Sequence, residues 1–176
     1  MTDLKKYKPI FIIGPTASGK TTIGIGAYKV LRKSIKNLIF YDGDELRKKL
    51  KGTFGHSNEE RYRVLEKYLE IIEEDLSNSK NIIISTVLHK KEMRRIVREK
   101  FPNCLIIFLK CGLNELKNRD YKGRYKDAID GKLECFPGIT EPYEIPKYAD
   151  FVIDTNNESP NNSILLLINF LERKYK

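Results

Sequence analysis

Gly14–Thr21 reads GPTASGKT, a full match to GxxxxGK[ST], and it follows the apolar run KPIFII of Lys8–Ile13 without a break. The strand, Gly-rich loop and helix start form the context this pattern requires. Glycines let backbone N–H groups close around phosphate, and the helix that follows adds its positive dipole end. In such a loop Lys20 reaches the β and γ phosphates of ATP, and Thr21 is placed to ligate Mg²⁺. The expected ATP-binding set is therefore Gly14, Ser18, Gly19, Lys20, Thr21 and Thr22.

Outward from this loop, the strand-like runs NLIFYD, NIIISTVL, NCLIIFLK and ADFVIDT alternate with helical periodicity. That alternation predicts an α/β domain built on a parallel five-stranded sheet flanked by helices. Residues 81–88 and 104–109 are continuous apolar runs and so are expected inside the sheet. Ser57 and Glu60 have capping-box spacing and open a helix predicted over about 58–77, with Leu65, Leu69, Ile72 and Leu76 on one face. A second helix is predicted over about 90–100, ending at Pro102, and a third in the tail from Ser163 to Lys176. Tyr121–Pro146, with three glycines, three prolines and little periodicity, is expected to be a mobile lid or long loop.

The 176 residues suit one domain spanning 1–176. No apolar run approaches the ~18 residues of a membrane span. The basic N-terminal stretch meets only four apolar residues before Gly14, too few for a signal peptide, so a cytoplasmic location is expected. Cys104, Cys111 and Cys135 fit neither a metal-ligand pair nor a disulfide framework. With 33 Lys and Arg against 24 Asp and Glu, the net charge of +9 points to an anionic partner without choosing between nucleotide and nucleic acid.

The second strand ends in DGDELR, which puts Asp42 and Asp44 at the carboxyl edge where ligands of open α/β sheets bind. One carboxylate there can serve as general base and the other can hold a metal-bound water, and the sequence leaves the division between them open. In a lid over phosphates Arg119, Lys122 and Arg124 would neutralise charge, whereas the basic stretch HKKEMRRIVREK reads equally well as a solvated helix face. His56 and His89 stand alone in sequence. Phe136, beside Pro137 and Gly138, looks poorly placed for a core and available to stack on a base.

The stretch RDYKGRYKDAIDGKLECFPGITEPYEIPKYADFVIDT resembles the adenylylsulfate (APS) kinase signature RDxKGxYxxAxxGxxxxFxGIxxPYExP, and with the P-loop and DGDxxR the resemblance runs from about residue 9 to 155. It implies a P-loop kinase fold with a lid at about 119–146, and MgATP-dependent phosphorylation of a nucleotide's ribose 3′-hydroxyl. By position, the resemblance makes Lys20 and Asp44 catalytic, the latter as base. Arg119 joins the ATP set, and Asp42, Arg47, His56, Arg61, Val64, Lys122, Phe136 and Ile139 belong to acceptor binding. A homodimer is compatible with it.

The departures lie around the acceptor. Where the family shows GFSxxDRxENIRR this chain has GHSNEERYRVLEK, so Phe becomes His56, Asn becomes Val64 and Arg becomes Glu66. SPYRxxR becomes LHKKEMR, placing Leu88 at a serine that some members phosphorylate. Losing an amide and reversing a charge disfavours an unchanged acceptor. A different nucleotide anhydride is expected, and the family's cytidine diphosphoramidate kinase variant, which serves capsule modification, is the relative it resembles. Adenylyl sulfate is the alternative acceptor. A P-loop nucleic-acid-binding or end-processing protein is the alternative of another class, and it is disfavoured because the basic residues cluster at the lid rather than along a stripe with interleaved aromatics.

Overall fold

Isoleucine and phenylalanine fill β1 (Ile10–Ile13) completely, and all four residues are buried. The computed structural model describes residues 8–50 and 54–175, so the basic N-terminal segment ahead of Lys8, residues 51–53, and Lys176, where the predicted tail helix ends, lie outside the described residues. Five strands form one parallel sheet in the order β2-β3-β1-β4-β5, with β2 at Leu38–Asp42, β3 at Asn81–Thr86, β4 at Leu105–Lys110 and β5 at Phe151–Asp154. The two apolar runs expected inside the sheet are β3 and β4, on either side of β1.

Because successive side chains on a strand point to opposite faces, the sheet feeds two cores. Ile10 and Ile12 join Ile83, Leu105 and Ile107 against α1 (Lys20–Leu31) and α7 (Pro160–Tyr175). Phe11 and Ile13 join Ile82, Ile84, Ile106 and Phe108 on the other face, under α3 (Asn58–Ser77) and α4 (Lys91–Lys100). The helix α3 carries the predicted capping box, with Ser57 Oγ accepting from the Glu60 N–H and the Glu60 carboxylate accepting from the Ser57 N–H. Its buried residues include Leu65, Leu69 and Ile72 from the predicted stripe. The tail helix starts at Pro160, three residues ahead of Ser163, because proline fits the first turn, where its missing N–H costs nothing.

The segment 121–146 differs from the expected long loop. It contains α6 (Arg124–Ile129), follows α5 (Leu113–Arg119), and has a small core of Leu116, Tyr125, Ala128 and Phe136. Phe136 is 4% exposed and meets the Tyr125 ring edge-on at 5.0 Å, so the reading of it as unsuited to a core is corrected. A core of four residues scattered over twenty positions leaves no periodic trace in the sequence. None of the described helices is long and apolar enough to cross a membrane.

Candidate active site

The loop between β1 and α1 is held in an unusual backbone path, with Ala17 at φ 63 and Gly19 at φ 91, and the Ser18 N–H donating to the Pro15 carbonyl at 3.2 Å. Gly14 lies beneath it. A Cβ there would come within 2.6 Å of Ser18 Oγ and 2.9 Å of the Leu109 carbonyl oxygen, so only glycine lets the loop pass this close to β4. Ser18 is wholly buried, and its Oγ has no hydrogen-bond partner. A buried hydroxyl left unsatisfied in such a loop is an atom that a phosphate oxygen would satisfy. Lys20 Nζ donates back to the Pro15 carbonyl at 2.6 Å. Burial pushes its pKa down to about 8 against the opposing pull of Asp44 and then Asp42.

Asp42 ends β2 and caps α2 (Gly43–Lys49), accepting from the N–H groups of Asp44 and Glu45 at 2.9 and 3.1 Å. Its other oxygen accepts from Thr21 Oγ1 at 2.5 Å and from Ser85 Oγ at 3.4 Å. Thr21, Asp42 and Ser85 thus converge from three elements on one hard-oxygen site beside the P-loop. Oxygen donors of this kind suit Mg²⁺, which keeps several waters and takes its remaining ligands from phosphates. Among the described residues no group of three or more His, Cys, Asp or Glu is placed to hold a metal ion by itself. Asp44 is the second residue of α2, exposed, and offsets the burial of Lys20 more than Asp42 does. This places its charge close to the Lys20 ammonium.

On the other side of the cleft, Arg47 donates to the Gly55 and Phe54 carbonyls. Arg61 donates to the His56 carbonyl at 3.0 Å and to the Cys135 carbonyl at 3.0 Å, tying α3 to the lid. Burial, then Arg47, Arg61 and Arg124, hold the His56 pKa below its ordinary value, which keeps the ring neutral. Val64, 4% exposed, forms part of the apolar wall with Leu65, Leu88 and Met93. Leu88 sits at φ 36 with its carbonyl accepting from the buried Arg94 at 2.7 Å.

Both halves open into one cleft of about 1290 Å³. Single-ligand pockets run to roughly 300–1,000 Å³, so there is room for a donor and an acceptor together. The cleft is lined by Ser18, Gly19, Lys20, Thr21, Thr22, Asp42, Asp44, Arg47, His56, Arg61, Val64, Arg119, Lys122 and Phe136. Arg119 arrives already engaged, donating to Glu115 at 2.7 Å and the Thr155 carbonyl at 2.6 Å. Lys122 is exposed and lies 5.5 Å from the Tyr121 ring centre. Two expected members stand elsewhere. Gly14 supports the loop from below, and Ile139 packs against the lid core and lines a separate shallow depression. Glu66 is exposed on α3 and does not line the cleft, so treating residues 56, 64 and 66 as one altered pocket is corrected to 56 and 64. Residues two apart on a helix point to opposite sides.

Three contributors escaped the sequence. Ser85 is the polar break in the apolar run of β3, and that break was its only signal. Tyr125 is buried in the lid, yet its hydroxyl donates to the Thr16 carbonyl at 2.9 Å and so couples the lid to the P-loop. His89 is buried rather than isolated, with Nε2 3.0 Å from Glu141, whose other oxygen accepts from Asn58. Burial, followed by Arg61, pushes the His89 pKa down to about 4, so its ring is neutral in this contact.

The Adenylylsulphate kinase family model matches residues 6–154. An adenylyl-sulfate kinase of Pseudomonas aeruginosa is 32% identical over 173 residues, covering 96% of this chain and 88% of the relative. A cytidine diphosphoramidate kinase of Campylobacter jejuni is 33% identical over 153 residues, covering 87% of this chain and 88% of the relative. Among solved structures, an APS kinase of Mycobacterium tuberculosis in complex with AMPPNP and APS superposes with a TM-score of 0.87 at 24% identity, covering 95% of this chain and 98% of that one, which establishes the shared fold.

Proposed function

The chain belongs to the adenylylsulphate kinase family and is an ATP-dependent nucleotide kinase of that type, and from this premise we propose that it phosphorylates the ribose 3′-hydroxyl of cytidine diphosphoramidate. The transfer is in line. The acceptor hydroxyl oxygen attacks the γ-phosphorus, the bond from that phosphorus to the bridging oxygen breaks, and ADP leaves. Asp44 takes the hydroxyl proton, because it is an exposed carboxylate that lines the cleft, acts on Lys20 and makes no cap or hydroxyl contact of the kind that engages Asp42. Lys20 neutralises charge on the migrating group, and the P-loop N–H groups hold the β-phosphate. Thr21 and Asp42 would hold Mg²⁺, which would supply further neutralisation of phosphate charge.

The acceptor assignment rests on one observation, the apolar and imidazole composition of the wall at Val64 and His56. Both residues line the cleft, and both replace family residues that offer an amide and a phenyl ring. Retention of Arg47, Arg61, Lys122 and Phe136 in the same cleft favours a second reading, adenylyl sulfate itself, and the P. aeruginosa relative carries that name. ADP release from MgATP across a panel of adenylyl and cytidylyl anhydrides separates the two. Faster turnover with the cytidine compound supports the proposal, and faster turnover with adenylyl sulfate assigns the chain to that acceptor instead.

A further inference from the structure

We infer that Arg124 is a specificity-determining residue that binds the outer anionic group of the acceptor, so that the cleft selects nucleotide anhydrides over nucleoside monophosphates; the inference rests on the kinase reading above. Arg124 is the first residue of α6 and lines the cleft with Arg47, Arg61 and His56. Other arginines of the chain are spent on carboxylates: Arg95 on Glu92 and Glu99, Arg98 on Asp150, and Arg119 on Glu115. Arg47, Arg61 and Arg124, on the acceptor side of the cleft that Arg119 also lines, are not. Arg47 and Arg61 donate only to backbone carbonyls, and among the described residues the Arg124 side chain makes no hydrogen bond or ion pair.

The acidic residues beside Arg124 are committed elsewhere. Asp120 accepts from the Tyr125 N–H at 2.6 Å, Asp127 pairs with Lys132, and Asp130 pairs with Lys126. Three arginines thus line one cleft without a direct ion pair, and the carboxylates that act on this group, Glu141 on Arg61 and Asp44 on His56, do so without a hydrogen bond or ion pair to any of the three guanidiniums. Their mutual repulsion is felt by their neighbours: Arg124 is among the groups that hold down the pKa of both His56 and Arg61. An anion in that cleft removes the repulsion, and because a nucleoside monophosphate carries nearly the same charge as these anhydrides near neutral pH, the discrimination comes from reach: the outer group of an anhydride extends one bridging atom further toward Arg124 than a monophosphate does.

The geometry also says which substrate Arg124 serves. It lines the cleft with His56 and Arg61 and acts on both, whereas it is not among the charges that act on Lys20, and Asp44 stands between the two ends, acting on His56 as well as on Lys20. Its backbone is fixed by the next residue, the buried Tyr125, whose hydroxyl is anchored on Thr16. Arg124 is thus held at the acceptor end by a lid helix tied to the donor loop.

Binding is measured by titration calorimetry with the donor site filled by MgADP, using CDP against CMP and adenylyl sulfate against AMP, in the wild-type protein and in Arg124→Gln and Arg124→Lys. Wild type should prefer each anhydride to its monophosphate. Arg124→Gln should weaken the anhydrides about ten- to a hundredfold and the monophosphates less than about twofold, with the KM for ATP unmoved. Arg124→Lys should restore part of the loss, because it returns the charge without the planar fork. Equal weakening of anhydride and monophosphate, a shift confined to the KM for ATP, or no change overturns the inference while the kinase reading stands. A wild-type protein that neither binds nor phosphorylates any anhydride overturns both.

Discussion

Lys20 should take up a proton when nucleotide binds, and the size of that uptake follows from its environment. In the free protein burial brings its pKa down to about 8. Phosphates surrounding the ammonium favour its charged form and should return the pKa toward about 10 or above. The neutral fraction of the free protein is then about 0.1 at pH 7, about 0.5 at pH 8 and about 0.9 at pH 9, and that fraction is the number of protons gained. Because the free-state pKa lies below the bound-state pKa, affinity is full below pH 8 and declines above it. At pH 9 the decline is about tenfold, or about 1.4 kcal/mol. The nucleotide's own phosphate, with its last pKa near ~6, is silent in this window. Calorimetry of MgATP binding in buffers of different ionisation enthalpy reads the uptake directly. Lys20→Met and Lys20→Arg should show none, one for want of a proton site and the other because its guanidinium never loses its charge. Wild-type uptake no larger than that of Lys20→Met at pH 8 would refute both the buried lysine and its phosphate-facing role.

Asp44→Asn should lower turnover by about a hundredfold or more with ATP affinity nearly unchanged, since the amide cannot accept the hydroxyl proton. Asp42→Asn should instead raise the Mg²⁺ concentration needed for half-maximal rate, and the reverse pattern in the two variants would exchange their roles. Tyr125→Phe removes the lid's hydrogen bond to Thr16 and should cost about 0.5–1.5 kcal/mol, seen as a rise of a few fold in the KM for ATP. Hydrogen exchange over residues 119–136 should slow on nucleotide binding, with α6 the slowest part even without ligand; equal protection in both states would contradict a closing lid. His56→Phe with Val64→Asn should shift preference toward adenylyl sulfate as far as the triple variant that adds Glu66→Arg. A further shift from residue 66 would mean that its side chain reaches the acceptor after all.

The strands and the P-loop were legible because their signals are local. Four to six consecutive apolar residues announce a buried parallel strand, and GPTASGKT carries its own chemistry within eight positions. The pairing of Thr21 with Asp42 and of Asp42 with Ser85 was not legible, since those residues are 21 and 43 positions apart and meet only once β1, β2 and β3 are in register. The lid misled for a related reason. Its glycines and prolines advertise turns, while the burial of Tyr125 and Phe136 depends on each other and on Leu116, and no windowed pattern reports such a contact. Glu66 was misjudged because a substitution was counted as a pocket change by its nearness in sequence, when helical geometry turns it away from Val64.

The most direct test supplies MgATP with equal amounts of cytidine diphosphoramidate and adenylyl sulfate and follows both by phosphorus NMR. The account predicts a new monoester phosphate on the 3′-oxygen of the cytidine compound, formed in step with ADP and ahead of any product from adenylyl sulfate. ADP formation with no nucleotide 3′-phosphate, or product arising from adenylyl sulfate alone, would contradict it.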